Sequence, residues 1–194
     1  MKKLLITGFE PFDGEEINPS WEAVKRLPSE IGSFTLTKLL LPVAFGRASD
    51  TVVKAANELD PDVILCIGQA GGRSNITPEL VAINLRNASI PDNDGSQPKD
   101  EPISENGPVA YFSTLPVRKM SEAIAASGIQ SAVSYSAGAY VCNDVLYTLL
   151  SRFDGSRTTV GFIHIPYSDE QSKISFMNTD DIVRGLTVAI ESID

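Results

Sequence analysis

One histidine, one tryptophan and two cysteines are all that 194 residues hold of these types, and each scarcity excludes something. Cys66 and Cys142 sit in unlike contexts, which argues against a disulfide framework. With a single histidine and two distant cysteines, a zinc or iron site has no ligand set, and no cofactor or metal is expected. No stretch approaches the ~18 apolar residues of a membrane span. The N-terminal apolar run Leu4–Ile6 is too short for the core of a signal peptide, and no small-residue cleavage site follows it. Positive charge is also short: 16 Lys and Arg stand against 25 Asp and Glu, a formal charge of −9 that argues against nucleic acid and anionic membranes as partners. Repeats and linkers are missing too. What is present is a chain 42% hydrophobic, long enough for one domain with a full core over residues 1–194. The expectation is a soluble cytoplasmic domain.

Apolar runs ended by Gly or Pro read as strands at Lys3–Phe9, Phe34–Leu41, Val63–Gly68 and Thr158–Ile165, with a shorter one at Ala132–Tyr135. Alternation over Glu79–Arg86 puts Glu79, Val81, Ile83 and Leu85 on one face of a further strand. Helical spacing covers Trp21–Leu27, capped by Ser20, then Phe45–Leu59, Val117–Ser127, Tyr140 or Val141 to Phe153, and Asn178–Thr179 to Ile193. Ala88–Pro108 is a long Pro/Asp/Asn/Gly segment without period, of a length that in folded domains is functional or disordered. Strands alternating with helices predict an open α/β/α sandwich around a mostly parallel twisted sheet. Ligands bind such sheets beyond the carboxyl ends of the strands. Phe9, Phe12, Gln69, Gly71, Cys142 and His164 all fall at or just past predicted strand ends.

The chain is organised around Ser131–Phe153, where a turn of small residues leads into a helix and Cys142 occupies its first turn. Free N–H groups and the positive end of the helix dipole favour an anion there, so the thiol is expected to ionise more readily than a free one. A Cys nucleophile needs a base, and His164 is the single histidine. A third group must hold the imidazole tautomer, with Glu79 and Asp92 as the carboxylate candidates; periodicity does not choose between them. Cys66, inside an apolar run, reads as a small buried hydrophobe.

Other patterns carry less. Gly68–Arg73 misses the dinucleotide fingerprint, because Ala70 occupies its second glycine and no helix follows. Backbone donors for an oxyanion and a structural turn both remain open for it. Asp92–Gly95 fails as a calcium loop, since its first ligand would be Ile90. Ser136 lacks the G-x-S-x-G setting of a hydrolytic serine.

Seven blocks taken together, GFEPFDG (Gly8–Gly14), IGQAGGR (Ile67–Arg73), ITPELVAIN (Ile76–Asn84), IPDNDG (Ile90–Gly95), AYFSTLP (Ala110–Pro116), SAGAYVCN (Ser136–Asn143) and GFIHIPY (Gly161–Tyr167), resemble pyroglutamyl-peptidase I, the pyrrolidone-carboxylate peptidase family of cysteine peptidases. The resemblance implies removal of an N-terminal pyroglutamyl residue from peptides through a Cys–His–Glu triad and a thioester acyl-enzyme. By motif, Cys142 is then the nucleophile, His164 the base and acid, and Glu79 the residue orienting His164, with Asp92 a second, supporting acid. Phe9 and Phe12 resemble the aromatic pair that packs on the pyroglutamyl ring. Gln69, with the backbone around Val141 and Cys142, resembles the part that binds the lactam or oxyanion; Asn18 and Tyr140 complete the implied substrate-binding set. The resemblance also implies a homotetramer without metal or cofactor. The chain departs from the pattern at Ser89, where an Arg is usual and the nearest Arg is Arg86, at Asp13 in place of a common Gly, and at Tyr140 in place of Phe.

Overall fold

The computed structural model describes residues 1–194. In chain order the elements are β1 (Lys2–Phe9), α1 (Pro19–Arg26), β2 (Glu30–Ile31), β3 (Phe34–Leu41), α2 (Arg47–Leu59), β4 (Val63–Gln69), β5 (Thr77–Pro78) and β6 (Val81–Ile83). They continue with β7 (Ala110–Phe112), α3 (Val117–Ala126), α4 (Val141–Arg152), β8 (Thr159–Ile165) and α5 (Thr179–Glu191). No helix is long and apolar enough to cross a membrane.

Six strands form one sheet in the order β2-β3-β1-β4-β8-β5. The central β3, β1, β4 and β8 are parallel, and the short β2 and β5 add antiparallel edges. Their apolar runs are continuous because helices cover both faces. Along β1, Leu4 and Ile6 point into a core shared with α1, α3 and α5, whereas Leu5 points into a second core under α2 and α4. Each of these fully buried Leu and Ile side chains stabilises the fold by about 1.5–3 kcal/mol relative to exposure. From β1 the chain moves to β3 on one side and then crosses to β4 on the other. The strand order therefore reverses between β1 and β4, and a crevice opens beyond Phe9 and Gln69.

Several sequence expectations are corrected. The cap of α1 is Asn18, whose Oδ1 accepts from the Ser20 N–H at 3.1 Å; Pro19 takes the first turn, where its missing donor costs nothing. Glu79–Arg86 is not one strand. Thr77–Pro78 pairs with β8, Glu79 donates its N–H to Phe162 O, and β6 turns away to pair with β7. Ala132–Tyr135 is no strand but a segment tied by single bridges, Ser131 to Ile76 and Ser134 to Glu79. The segment 88–108 is ordered by side chains instead of by period. Asp13 lies at φ 54, a left-handed position that a glycine adopts without steric cost.

Candidate active site

The helix that carries Cys142 starts without a side-chain cap: Tyr140 holds the cap position and offers none. No backbone carbonyl accepts from the N–H groups of Val141, Cys142 and Asn143, and the Cys142 N–H is directed at its own thiol, so free donors and the helix dipole gather at this helix start. The next two residues clamp this start. Asn143 is buried, accepting from Ile83 N–H at 3.0 Å and donating to Ile83 O and Leu85 O. Asp144, fully buried, accepts from Arg86 Nε at 2.6 Å and from Gly46 N–H at 2.9 Å. The thiol is brought to the sheet by Gly68. A Cβ there would lie 2.7 Å from the Phe162 ring and 3.0 Å from Cys142 Sγ, so only glycine lets the nucleophile sit against β4.

Gly68 pairs in register with His164 on β8, and paired residues of parallel strands face the same side, so the imidazole and the thiol share one face of the sheet. Beyond His164, β5 folds back along the strand edge and delivers Glu79. Glu79 Oε1 and His164 Nδ1 are 2.7 Å apart, both residues being buried. Burial opposes ionisation of Glu79, but His164 first, and then the Ser134 hydroxyl and Arg73, outweigh it and hold the carboxyl below its usual value. Burial pushes His164 down, against the upward pull of Glu79. The pair is therefore carboxylate and neutral imidazole. With Nδ1–H donating to Glu79, Nε2 is the nitrogen free to take a proton.

The thiol does not behave as the helix start alone predicts. Burial, reinforced by the Glu79 charge, raises Cys142 to about 12, more than Arg73 and the backbone N–H lower it. Burial thus favours a neutral thiol and a neutral imidazole on one face of the sheet, with the proton moving as the sulfur attacks. Cys66 is buried and likewise raised to about 12 by desolvation, consistent with an inert core residue.

Next to the sulfur lies a small, mostly apolar cleft with a cavity of about 40 Å³, lined by Phe9, Phe12, Asn18, Val43, Gln69, Tyr140, Val141 and Cys142. All six residues of the implied substrate set are on its wall. Phe9 is also a core residue, stacked near Phe162 at 6.3 Å, whereas Phe12 is half-buried against Tyr140 at 6.2 Å. Asn18 is held in place on the cleft wall, its Nδ2 donating to Glu10 O and its Oδ1 accepting from the Ser20 N–H and hydroxyl. Gln69 keeps a free donor. Ser168 N–H donates to Gln171 Oε1, which turns Gln171 Nε2 toward Gln69 Oε1 at 3.0 Å, and this fixes the Gln69 NH₂ as the end without a protein partner.

Asp92 stands apart from the imidazole. Its carboxylate accepts from the N–H groups of Phe45, Asp94 and Ser96, folding the long loop onto the start of α2. Asn93 then ties that loop to Glu10 and Pro11, beside Phe12, and Tyr140 donates to Pro91 O, so the loop braces the cleft from outside. Ser89 is exposed, and Arg86 is committed to Asp144. In Gly68–Arg73, Ala70 N–H goes to Ile165 O and Arg73 N–H to Ala70 O, so the turn supplies Arg73 and no free Ala70 or Arg73 N–H for an oxyanion. Sequence reasoning missed Gly68, Val43, Arg73 and Gln171 as parts of the site; only the strand-end position of Gly68 and Arg73 signalled them.

Known proteins are similar to this chain along its length. A sequence profile described as Pyroglutamyl peptidase matches residues 2–194. Pyrrolidone-carboxylate peptidase of Levilactobacillus brevis is 50% identical over 197 residues, covering 98% of this chain and 97% of that protein. The protein of that name in Bacillus subtilis is 48% identical, with 97% and 90% covered. The crystal structure of Bacillus amyloliquefaciens pyroglutamyl peptidase I superposes with a TM-score of 0.94 at 45% identity, covering 100% of this chain and 97% of that one. The pyrrolidone carboxyl peptidase of Thermococcus litoralis gives 0.94 at 38% identity. With the profile spanning all but the first residue and relatives near half identity along the whole length, the chain belongs to the pyroglutamyl peptidase family.

Proposed function

We propose that this chain, acting as one catalytic domain over residues 1–194, hydrolyses the amide bond after an N-terminal pyroglutamyl residue, with Cys142 as nucleophile, His164 as base and acid, and Glu79 orienting His164. The observation that carries the reading is the junction of a small apolar cleft, an uncapped helix start with a thiol in its first turn, and, on the same sheet face, an imidazole held by a buried carboxylate. A pyroglutamyl group has no free amine, so its pocket needs no carboxylate; it needs apolar walls and neutral hydrogen-bond partners for the lactam. Phe9, Phe12, Val43, Tyr140 and Val141 supply the walls, and the Gln69 NH₂ supplies a donor.

In the reaction, His164 Nε2 takes the thiol proton as Cys142 Sγ attacks the acyl carbon. The N–H groups at the start of α4 hold the oxyanion. The C–N bond then breaks, the proton passes to the leaving amine, and a thioester remains. Water gives a proton to His164 and attacks the thioester; the sulfur leaves, regains that proton, and pyroglutamate is released.

The test is one peptide series differing only at its first residue: pyroglutamyl, prolyl or glutaminyl. The first should be cleaved and the others rejected, because a charged amine would lose its hydration in the cleft without a partner. Phe12→Ala should raise KM for the pyroglutamyl peptide by roughly 10- to 100-fold through lost apolar contact. Equal cleavage of all three peptides would end this reading. Assembly as a cytoplasmic homotetramer belongs to the same proposal, supported by the apolar Val109 and Phe112, which stand 87% and 69% exposed. Sedimentation equilibrium counts the copies, and a monomer at working concentration would remove that part.

A further inference from the structure

The two well-formed hydrogen bonds to Glu79, from His164 and Arg73, fall on one oxygen. Oε1 accepts from His164 Nδ1 and from Arg73 Nη1, each at 2.7 Å, while Oε2 is buried without a partner. The same Nη1 donates to Thr77 Oγ1 at 2.6 Å, and that hydroxyl donates to the His164 carbonyl at 3.3 Å. Nη2 donates to Ser136 O at 3.0 Å, in the segment that leads into α4. One guanidinium therefore spans the strand holding the base, the carboxylate that orients it and the approach to the nucleophile helix.

Charge makes the arrangement necessary. Glu79 is 0% exposed, and its partner imidazole is neutral at rest, so without Arg73 the carboxylate would be a lone buried anion. Such a group takes up a proton or draws one onto its neighbour. Arg73 forms the counter-charge and remains 31% exposed on its outer side, so its own burial is partial. The ionisable groups around Glu79 are His164 from β8, Arg73 from the turn after β4, and Cys142 from the start of α4. Arginine suits the place because its planar fork serves Glu79, Thr77 and Ser136 at once, and an ammonium point charge does not.

We propose that Arg73 is a fourth, positioning member of this site, fixing the Glu79 carboxylate on His164 and balancing its charge so that the imidazole stays neutral until Cys142 attacks. This rests on the roles proposed above for Cys142, His164 and Glu79. The sign follows from electrostatics: a positive Arg73 disfavours protonation of His164, so its removal moves the loss of base function to higher pH.

The experiment compares wild type, Arg73→Gln and Arg73→Lys on a fluorogenic pyroglutamyl amide from acid to alkaline pH. Arg73→Gln should lose roughly 100-fold in kcat at neutral pH through misplacement of the base. KM should change little, because Arg73 is not on the cleft wall. The acid limb of kcat/KM should shift to higher pH. Arg73→Lys keeps the charge but loses the fork, so kcat should fall while the limb stays in place. A structural role alone would lower kcat equally at every pH. An unmoved limb in Arg73→Gln, or wild-type kcat in either variant, overturns the inference; if Arg73→Gln does not fold, Arg73→Lys with a displaced limb does the same. The pH dependence of Cys142 alkylation by iodoacetamide reads the site without substrate, and in Arg73→Gln it should also move to higher pH. A wild type that alkylates in this way yet ignores the pyroglutamyl amide overturns the proposed activity and leaves the role of Arg73 to be decided by the alkylation profile.

Discussion

Cys142→Ala and His164→Ala should each cut kcat by roughly 10⁴-fold or more, and the double variant should be scarcely worse than either. Non-additivity follows because the thiol transfers its proton only as it attacks: raised to about 12, it supplies little thiolate at neutral pH without a base. An imidazole without the sulfur has nothing to deprotonate. Circular dichroism should show all three variants folded, since Cys142→Ala removes one atom from the edge of the second core and the face of β8 around His164 is held by Phe162 and the α4 packing. The same neutral pair predicts alkylation behaviour. Iodoacetamide should label wild-type Cys142 at least about ten times more slowly than a free thiol at neutral pH, with the rate still climbing in alkali. Full turnover in either single variant sinks the assignment. Fast labelling that levels off below neutrality would instead show a preformed thiolate–imidazolium pair.

The second large effect separates two carboxylates that periodicity leaves level and the family resemblance ranks with Glu79 first. Glu79→Gln should lower kcat by roughly 10²–10³-fold with the fold intact. The loss should be electrostatic. Both donors, His164 Nδ1 and Arg73 Nη1, meet Oε1, so an amide can keep its oxygen there and preserve the tautomer while removing the charge. Asp92→Asn should spare kcat and reduce thermal stability, because the Asp92 carboxylate accepts three backbone N–H groups and an amide has one oxygen for them. That loss is roughly 1–3 kcal/mol. A fall in kcat for Asp92→Asn that exceeds the one for Glu79→Gln would transfer the orienting role to Asp92. Arg86 is drawn out of the chemistry by the same reasoning: its guanidinium is committed to Asp144 at the start of α4, so it anchors the helix and is not free to replace the Arg that Ser89 lacks.

Much of this was legible in adjacent residues. The runs that became β1, β3, β4 and β8, and the stripes that became α2, α4 and α5, are set by period and by Gly or Pro at their ends, which are local properties. The place of Cys142 in the first turn of a helix is equally local, and a single histidine leaves no choice of imidazole. Alternation failed at Glu79–Arg86 because the hydrogen-bond partner changes midway: Pro78 pairs with β8 and Val81 with β7, a change no side-chain pattern records. Ser20 was misread as the cap of α1 because Asn18 and Ser20 both suit the position, and only the backbone geometry of Asn18 decides it.

What the sequence by itself determined is therefore the sandwich, the helix that carries the thiol and the identity of the only available base. The tertiary structure put Glu79, 85 residues from His164 and singled out in the sequence only by resemblance, in contact with it, and it alone decided that Asp92 serves a loop and that Gly68 is bare so that sulfur can approach. It also set burial of the Cys142 thiol against the helix start. A helix start favours a thiolate by a field that acts within one turn, whereas desolvation depends on everything packed around the sulfur, and here the packing outweighs the dipole.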